Sequence, residues 1–226
     1  MKGGPIFSTD TLKFFEELSE NNRKPWMDEN RGRYKSAVVL PFRELLDRLT
    51  PVARRLNPKF QITGRTGDNF SRINRDIRFA ADKSPYRPHM YLFFSEGGGE
   101  NGQLYVGLSP EALTAGFRIY GDSKDTPLMQ IGRGRGAENP GWLGQQKKRL
   151  GRKYESYWYS TEKGDWTKHS GWPLVADDWK KMQGWVVRKK LRPSLATKPG
   201  FEREVEKIFG DVYPLLPFAG QPIWKP

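Results

Sequence analysis

Residues 70–86 read Phe-Ser-Arg-Ile-Asn-Arg-Asp-Ile-Arg-Phe-Ala-Ala-Asp-Lys-Ser-Pro-Tyr. Arginines alternate here with apolar side chains, a pattern that indicates a segment lying half in a core. The segment carries four positive and two negative charges from Arg72 to Tyr86. Arginine and carboxylate can pair through two hydrogen bonds at once, so the two aspartates can neutralise part of this charge. The surplus must face water or an anion.

Turn chemistry lies at the end of this segment, from Asp82 to Pro85. The Asp82 carboxylate can accept a hydrogen bond from the backbone two residues on, and Pro85 fixes its own φ angle. Pro85 also biases Ser84 towards an extended conformation. The sequence therefore predicts a strand or irregular arm, a rigid turn, and a second strand that begins near Tyr86.

The charged residues of this segment are the candidate ligand-binding site. A structural ion network without a ligand is an equally open interpretation, because such networks also order partly buried turns. If the segment is a site, we expect four of its side chains to converge on one partly buried spot near the turn between Asn21 and Trp26: Arg72, Arg75, Arg78 and Asp82. The candidate residues are Arg72, Arg75, Asp76, Arg78, Asp82, Lys83 and Tyr86.

The same residues, written Arg-Ile-x-Arg-Asp-Ile-Arg-Phe-x-x-Asp-Lys-Ser-Pro-Tyr, resemble the signature of the domain-of-unknown-function 2461 family. The opening motif of that family is similar to Phe14-Phe15-x-x-Leu18-x-x-Asn21-Asn22-Arg23-x-x-Trp26, with Tyr34 and Pro41-Phe42 further on. The resemblance covers residues 7–120 well and the C-terminal third more loosely. It implies a single α+β domain in the cytosol and brings no established activity. It also suggests that Asn21 and Asn22, otherwise simply a helix end, border the site.

Composition and charge limit the kinds of partner and site that the chain can have. The chain has 226 residues, no cysteine, 8 tryptophans and a formal net charge of +13. This charge favours phosphate-rich partners such as nucleic acid, while the lack of cysteine excludes disulfides and thiolate metal sites. No long apolar run is present, so we expect no membrane partner and a cytoplasmic protein. The oligomeric state cannot be predicted.

The order of patterns predicts the fold. Helical spacing of apolar residues runs from Asp10 to Leu56, and short strand patterns run from Phe60 to Tyr120, beginning with a strand at Phe60–Ile62. Further strands at Tyr154–Ser160 and Gly184–Leu191 precede a last helix that starts near Phe201, and the tail from Tyr213 is expected to be extended. We predict one α+β domain over residues 1–226, with N-terminal helices packed on a mainly antiparallel sheet and a C-terminal helix.

A basic glycine-rich and arginine-rich stretch, about residues 121–153, interrupts these patterns. It resembles an insertion, because the family pattern has a plainly helical segment after the sheet. One interpretation is a solvated loop followed by a short helix at Leu143–Leu150. The other is a nucleic-acid contact surface, in which cations replace the counterions of phosphates. Its candidate contacts are Arg133, Arg135, Lys147, Lys148 and Arg149.

Several kinds of site are not expected. His89 and His169 lack a second histidine at metal-ligand spacing, which argues against a zinc site. The Gly97-Gly98-Gly99 run lacks the ending of a phosphate-binding loop and is read as a hairpin connection. Neither a dinucleotide fingerprint nor a Gly-x-Ser-x-Gly elbow is present, so we expect no cofactor and no hydrolase of that type. A Mg²⁺ held by Asp76 and Asp82 stays open, although the arginines compete for both carboxylates.

Anion binding at the 72–86 segment is the favoured function, with a phosphate, a nucleotide or a nucleic acid as the ligand. The alternatives are an enzyme of phosphoryl or nucleotide chemistry at the same residues and a structural interaction protein. In the enzyme, arginines would stabilise developing charge while an aspartate acts as base or metal ligand. A carboxylate that no arginine occupies would distinguish catalysis from binding.

Overall fold

The computed structural model describes residues 4–78, 80–97, 102–121, 127–162, 165–221 and 224–225. Within these ranges no helix is both long enough and apolar enough to cross a membrane. Four sequence features fall outside them: Phe79, Gly98 and Gly99 of the glycine run, the turn at Lys163 and Gly164, and the prolines 222 and 226 of the tail.

The N-terminal part of the chain is helical, as the apolar spacing predicts. The buried Thr11 hydroxyl donates to the carbonyl of Ala37 at 2.7 Å and so joins the first helix to the π-helical turn. Pro41 lies in the first turn of the longest helix, where a missing N–H costs nothing, and that helix continues through Pro51. The elements are α1 Thr9–Glu20, α2 Lys24–Glu29, α3 Arg31–Tyr34, a π-helical turn Lys35–Val39, and α4 Leu40–Leu56.

Six antiparallel strands form one sheet with the order β1-β2-β3-β6-β4-β5. β4 pairs with β5, and Tyr159 lies opposite Lys168. The fold is therefore α+β, with N-terminal helices, a central antiparallel sheet and C-terminal helices, which confirms the predicted fold class. The strands are β1 Met90–Phe94, β2 Gln103–Leu108, β3 Leu113–Tyr120, β4 Glu155–Glu162, β5 Asp165–Ser170 and β6 Met182–Leu191.

The remaining helices lie after β3. Two 3₁₀ turns, Gly151–Lys153 and Pro193–Thr197, accompany them. In α8 the predicted apolar face is buried, from Phe201 through Val205 to Phe209. The helices are α5 Pro127–Glu138, α6 Pro140–Leu150, α7 Ala176–Lys181, α8 Phe201–Val212 and α9 Leu215–Gly220.

Contacts divide the chain into two compact units, each built from three segments. The first contains Met1–Phe94, Val106–Thr114 and Leu191–Glu206, and its core includes Phe7 packed on Phe42 with ring centroids 5.0 Å apart. The second contains Ser95–Tyr105, Ala115–Lys190 and Lys207–Pro226. Its core centres on Trp185, whose ring meets those of Phe117 and Trp179 at 5.4 and 5.5 Å. The single domain over residues 1–226 stays a prediction.

The predicted strand at Phe60–Ile62 is wrong, because a side chain takes the place of a partner strand. The fully buried Asn69 donates its amide hydrogens to the carbonyls of Gln61 and Phe93, at 2.9 and 3.1 Å. Its amide oxygen accepts from the N–H groups of Thr63 and Gly64, at 2.9 and 3.0 Å. The backbone polar groups of this loop are satisfied without a strand.

The expectation of a solvated loop in the glycine-rich and arginine-rich stretch is also wrong, because residues 127–138 form α5. Two of its glycines are required by close packing. A Cβ atom at Gly132 would lie 2.5 Å from the carbonyl oxygen of Ala219, and one at Gly136 would lie 2.0 Å from the ring of Trp179. Gly134, between them, has open space.

The tail is helical where an extended segment was expected. Residues 215–220 form α9, and Leu215, Leu216 and Phe218 are buried. The prolines of the tail favour an extended chain, but Pro214 lies just before the first turn of α9, where its fixed φ is suited to helical geometry.

The glycines of α5 give a stability test. We expect Gly136→Ala to lower the free energy of unfolding by about 1 to 3 kcal/mol, because the methyl group overpacks against Trp179. Gly134→Ala, on the exposed side of the same helix, should raise it by up to about 1 kcal/mol, through helix propensity. Urea unfolding followed by circular dichroism measures both, and equal effects of the two substitutions would contradict the packing.

Candidate anion-binding sites

Residues 70–78 and 80–92 form the two facing chains of a backbone hairpin, which we call the arm. The N–H of Ser71 donates to Tyr91 O at 3.0 Å, and the N–H of Arg87 donates to Ile73 O at 2.7 Å. Nearer the turn, the N–H of Arg75 donates to Pro85 O at 2.9 Å. The arm thus has the predicted course of extended chain, turn and return.

Asn22 fastens the arm to the end of α1. Its side-chain oxygen accepts from the N–H of Tyr86 at 2.9 Å, and its amide donates to Tyr86 O at 2.8 Å. This pair of bonds imitates a neighbouring strand, and it holds Tyr86 in a buried position. Asn21 ends α1 as expected. The sequence shows an ordinary helix end here, so the role of Asn22 was missed apart from the hint given by the family resemblance.

Each carboxylate of the arm is held by one arginine. Arg75 pairs with Asp82, and Arg78 binds both oxygens of Asp76 at 3.0 and 2.7 Å. The side chains of Arg78 and Asp76 are 77% and 60% exposed, and Asp82 is also 60% exposed, whereas Arg75 is only 27% exposed. Of the four side chains expected to converge on one partly buried spot, those of Arg72, Arg78 and Asp82 are exposed, and the expectation is wrong for them. The charges form two separate pairs.

Hydrogen bonding keeps both carboxylates ionised. Bonds from Ser84 and then from Arg75 lower the pKa of Asp82 far below its usual range, and the backbone N–H of Ser84 lies 2.8 Å from Oδ1. This contact is the predicted aspartate turn. Arg78 lowers the pKa of Asp76 in the same way. Neither aspartate is poised to accept a proton near neutral pH.

Two further cations of the arm bond to backbone carbonyls. Lys83 Nζ donates to Ile77 O at 3.0 Å, and Arg87 Nη1 donates to Arg72 O at 3.1 Å. Within the described chain no carboxylate forms an ion pair with Arg72, Lys83 or Arg87. Carbonyl oxygens are only dipoles, so these contacts leave the positive charge in place.

His89 lies beside this charge. It is half-buried, and its ring meets Tyr91 edge to face at 5.1 Å. Burial lowers the pKa of His89, and Arg87 and Arg75 lower it further, while Glu111 opposes them. The imidazole is therefore neutral at pH 7. The sequence suggested His89 only as a possible zinc ligand. Its position two residues after Arg87, in the returning half of the arm, is the signal that could have placed it beside these cations.

The other candidate contacts separate into two groups. Arg133 donates to Met182 O at 2.9 Å, and Arg135 donates to Pro217 O at 2.9 Å, so both guanidiniums serve intramolecular contacts. Lys147 and Lys148, on α6, are exposed and line a pocket of about 490 Å³ together with Tyr154, Trp172 and Arg152. Arg149 donates to the carbonyl of Asp211. The basic surface is thus best represented by α6 and the 3₁₀ turn that follows it.

A metal site has no support in the side-chain arrangement. Among the residues that the structure describes, no three His, Cys, Asp or Glu side chains are grouped so that they could hold an ion. The carboxylates of Asp76 and Asp82, left open as magnesium ligands, are occupied by arginines.

Comparison with known protein families shows where the chain belongs. The family model described as "Conserved hypothetical protein (DUF2461)" matches residues 10–218. No curated protein sequence matches the chain.

The basic surface on α6 predicts salt-dependent attraction to polyanions. Replacing Lys147, Lys148 and Arg149 together by alanine should weaken binding to heparin or nucleic acid. It should also reduce the slope of log K against log salt by about one unit for each cation that contacts a phosphate. Elution from heparin and anisotropy titrations at several salt concentrations measure both effects.

The matched control removes the same three charges from exposed positions elsewhere, as Lys13→Ala, Lys35→Ala and Lys59→Ala. An equal loss of binding in this control would show that net charge alone, and not the α6 surface, attracts the polyanion.

Proposed function

The chain belongs to the DUF2461 family of conserved hypothetical proteins, and we propose that it is an anion-binding protein whose arm takes a phosphate-class anion. The description of the family assigns no activity, so the proposal rests on the side chains of the arm. Its centre is the surface around Arg75, Arg87 and His89. The cytoplasmic location stays a prediction from the sequence.

The observation that carries the proposal is the charge balance of the arm. From Arg72 to Arg87 there are five cations and two aspartates, which leaves a charge of +3. Each aspartate already forms a pair with Arg75 or Arg78. Lys83 and Arg87 bond to carbonyls, and Arg72 forms no ion pair among the described residues, so an anion from solution would complete the balance.

The neighbourhood of His89 supports the same place for the anion. Arg75 and Arg87 lie on the two facing chains of the arm, where their N–H groups donate to Pro85 O and Ile73 O. Both positive charges lower the pKa of His89, which follows Arg87 by two residues. A neutral imidazole can donate one hydrogen bond to an anion, and two arginines can supply forked contacts to its oxygens. Such a set of donors suits the oxygens of a phosphate or sulfate.

Catalysis is less well supported than binding. A phosphoryl-transfer enzyme needs a carboxylate that can act as base or hold a metal ion. Both aspartates of the arm are engaged by arginines, and their lowered pKa values make them weak bases. The arm therefore offers positive charge and hydrogen-bond donors without a catalytic base of the expected kind.

The histidines provide a direct test. Sulfate bound beside His89 favours the charged imidazolium, so it should raise the pKa of His89 by on the order of one pH unit. By linkage, sulfate binding should tighten as the pH falls through that pKa. His169, the second histidine of the chain, is the internal control, and NMR titration of both rings with sulfate or with chloride at equal ionic strength measures the difference.

Arg75→Ala and Arg87→Ala should abolish the sulfate-dependent change at His89. Arg31→Ala, which removes an exposed arginine of α3, should leave it intact. Equal responses of His89 and His169 to sulfate, or an unchanged response in both arm variants, would refute the site.

A further inference from the structure

The second unit carries a group of aromatic rings on one face of the sheet. Side chains of a strand alternate between two faces. In β4, Trp158 and Ser160 are buried, whereas Tyr157 and Tyr159 on the opposite face are partly exposed. Across the β4–β5 pair, Tyr159 lies opposite Lys168 and Thr161 lies opposite Trp166, which places Trp166 on the face of the two tyrosines.

These rings contact one another. Tyr159 lies 5.7 Å from Trp166 and 5.8 Å from Tyr157, both edge to face. Tyr120 of β3 reaches Tyr159 at 6.1 Å and Trp166 at 6.4 Å. Its ring lies across Gly184, where a Cβ atom would be 2.5 Å from it. We call Tyr120, Tyr157, Tyr159 and Trp166 the ring platform.

One member of the platform is unusually open to solvent. Trp166 is 51% exposed, although tryptophan normally buries a large apolar area. The ring is held by its neighbours and is not covered by the described part of the chain. An exposed aromatic ring within a larger aromatic group is typical of a binding surface.

Cations flank the platform. Lys168 Nζ lies 4.1 Å from the centre of the Tyr157 ring, and Arg188 Cζ lies 5.1 Å from it. Glu155 pairs with Arg188 at 3.0 Å, while Lys168 forms no ion pair among the described residues. Aromatic faces and a cation therefore lie side by side on one sheet surface.

We propose that the ring platform binds single-stranded nucleic acid, with bases stacked on Trp166 and Tyr159 and a phosphate at Lys168. Rings alternating with cations recognise single strands, because every base has a flat face to stack and every nucleotide a phosphate. The net charge of +13 matches such a partner. A duplex keeps its base faces inside the stack and cannot use the rings. The proposal is independent of the anion site on the arm, since it uses other residues and another ligand class.

A labelled oligodeoxythymidine and the duplex of equal length distinguish the modes of binding in anisotropy titrations. Trp166→Ala and Trp166→Leu should raise the Kd for the single strand by about 5-fold to about 100-fold, with no change in the salt slope. Trp166→Phe should bind nearly as well as the original protein. Lys168→Gln should reduce the slope of log K against log salt by about one unit, and Lys35→Gln is the matched control.

Duplex binding should not respond to the tryptophan substitutions. Circular dichroism checks that each variant folds, and Trp166→Phe and Trp166→Leu are the pair that separates stacking from simple apolar contact. Equal affinities of these two variants for the single strand would overturn the proposal. Unchanged affinity of the single strand for Trp166→Ala would also overturn it. The absence of any oligonucleotide binding would do so too, and would indicate a protein partner for the ring platform.

Discussion

The position of the arm depends on one buried amide, that of Asn69. Its four hydrogen bonds join the loop before the arm to itself and to Phe93 at the end of β1. The backbone of the same residue also accepts from the N–H of Phe93 at 2.9 Å. A buried amide that satisfies all its hydrogen-bonding groups fixes both sides of its contacts, because any displacement would leave several polar groups unpaired. The side-chain amide of Asn22 holds the arm at a second point through its two hydrogen bonds to the backbone of Tyr86.

Sequence reasoning succeeded where the deciding information was local. The helices between Asp10 and Leu56, the strand near Tyr154–Ser160 and the turn at Asp82 follow from spacing and turn chemistry within a few residues. It failed where a distant partner decided the outcome. Phe60–Ile62 has the composition of a strand, but its backbone groups are taken by Asn69. In the arginine-rich and glycine-rich stretch, Gly132 and Gly136 are needed for close contact with α9 and Trp179, which no local pattern shows.

The residues of the candidate site could be predicted from the sequence, but the ion pairs that they form could not. The charge surplus of the arm could be counted from the sequence, whereas the pairing of Arg75 with Asp82 and of Arg78 with Asp76 needed the hairpin. The fold places His89 beside the arm, and it shows the contact of Asn22 that the family resemblance only suggested. The ring platform was not predicted, because Tyr157, Tyr159 and Trp166 have the composition of ordinary strand residues. The same holds for Arg133 and Arg135, whose charges look available in the sequence but serve carbonyl groups of the chain.

The two packed glycines of α5 give that helix a fixed rotational phase. Gly132 and Gly136 are four residues apart, which is close to one turn of 3.6 residues, so both lie on the same side of the helix. A single residue inserted between them would turn one glycine away by about 100° and bring a side chain to the contact with Ala219 or Trp179. Changes of length in this helix can therefore be accommodated only in steps near a whole turn, even though Gly134 on its exposed side has open space.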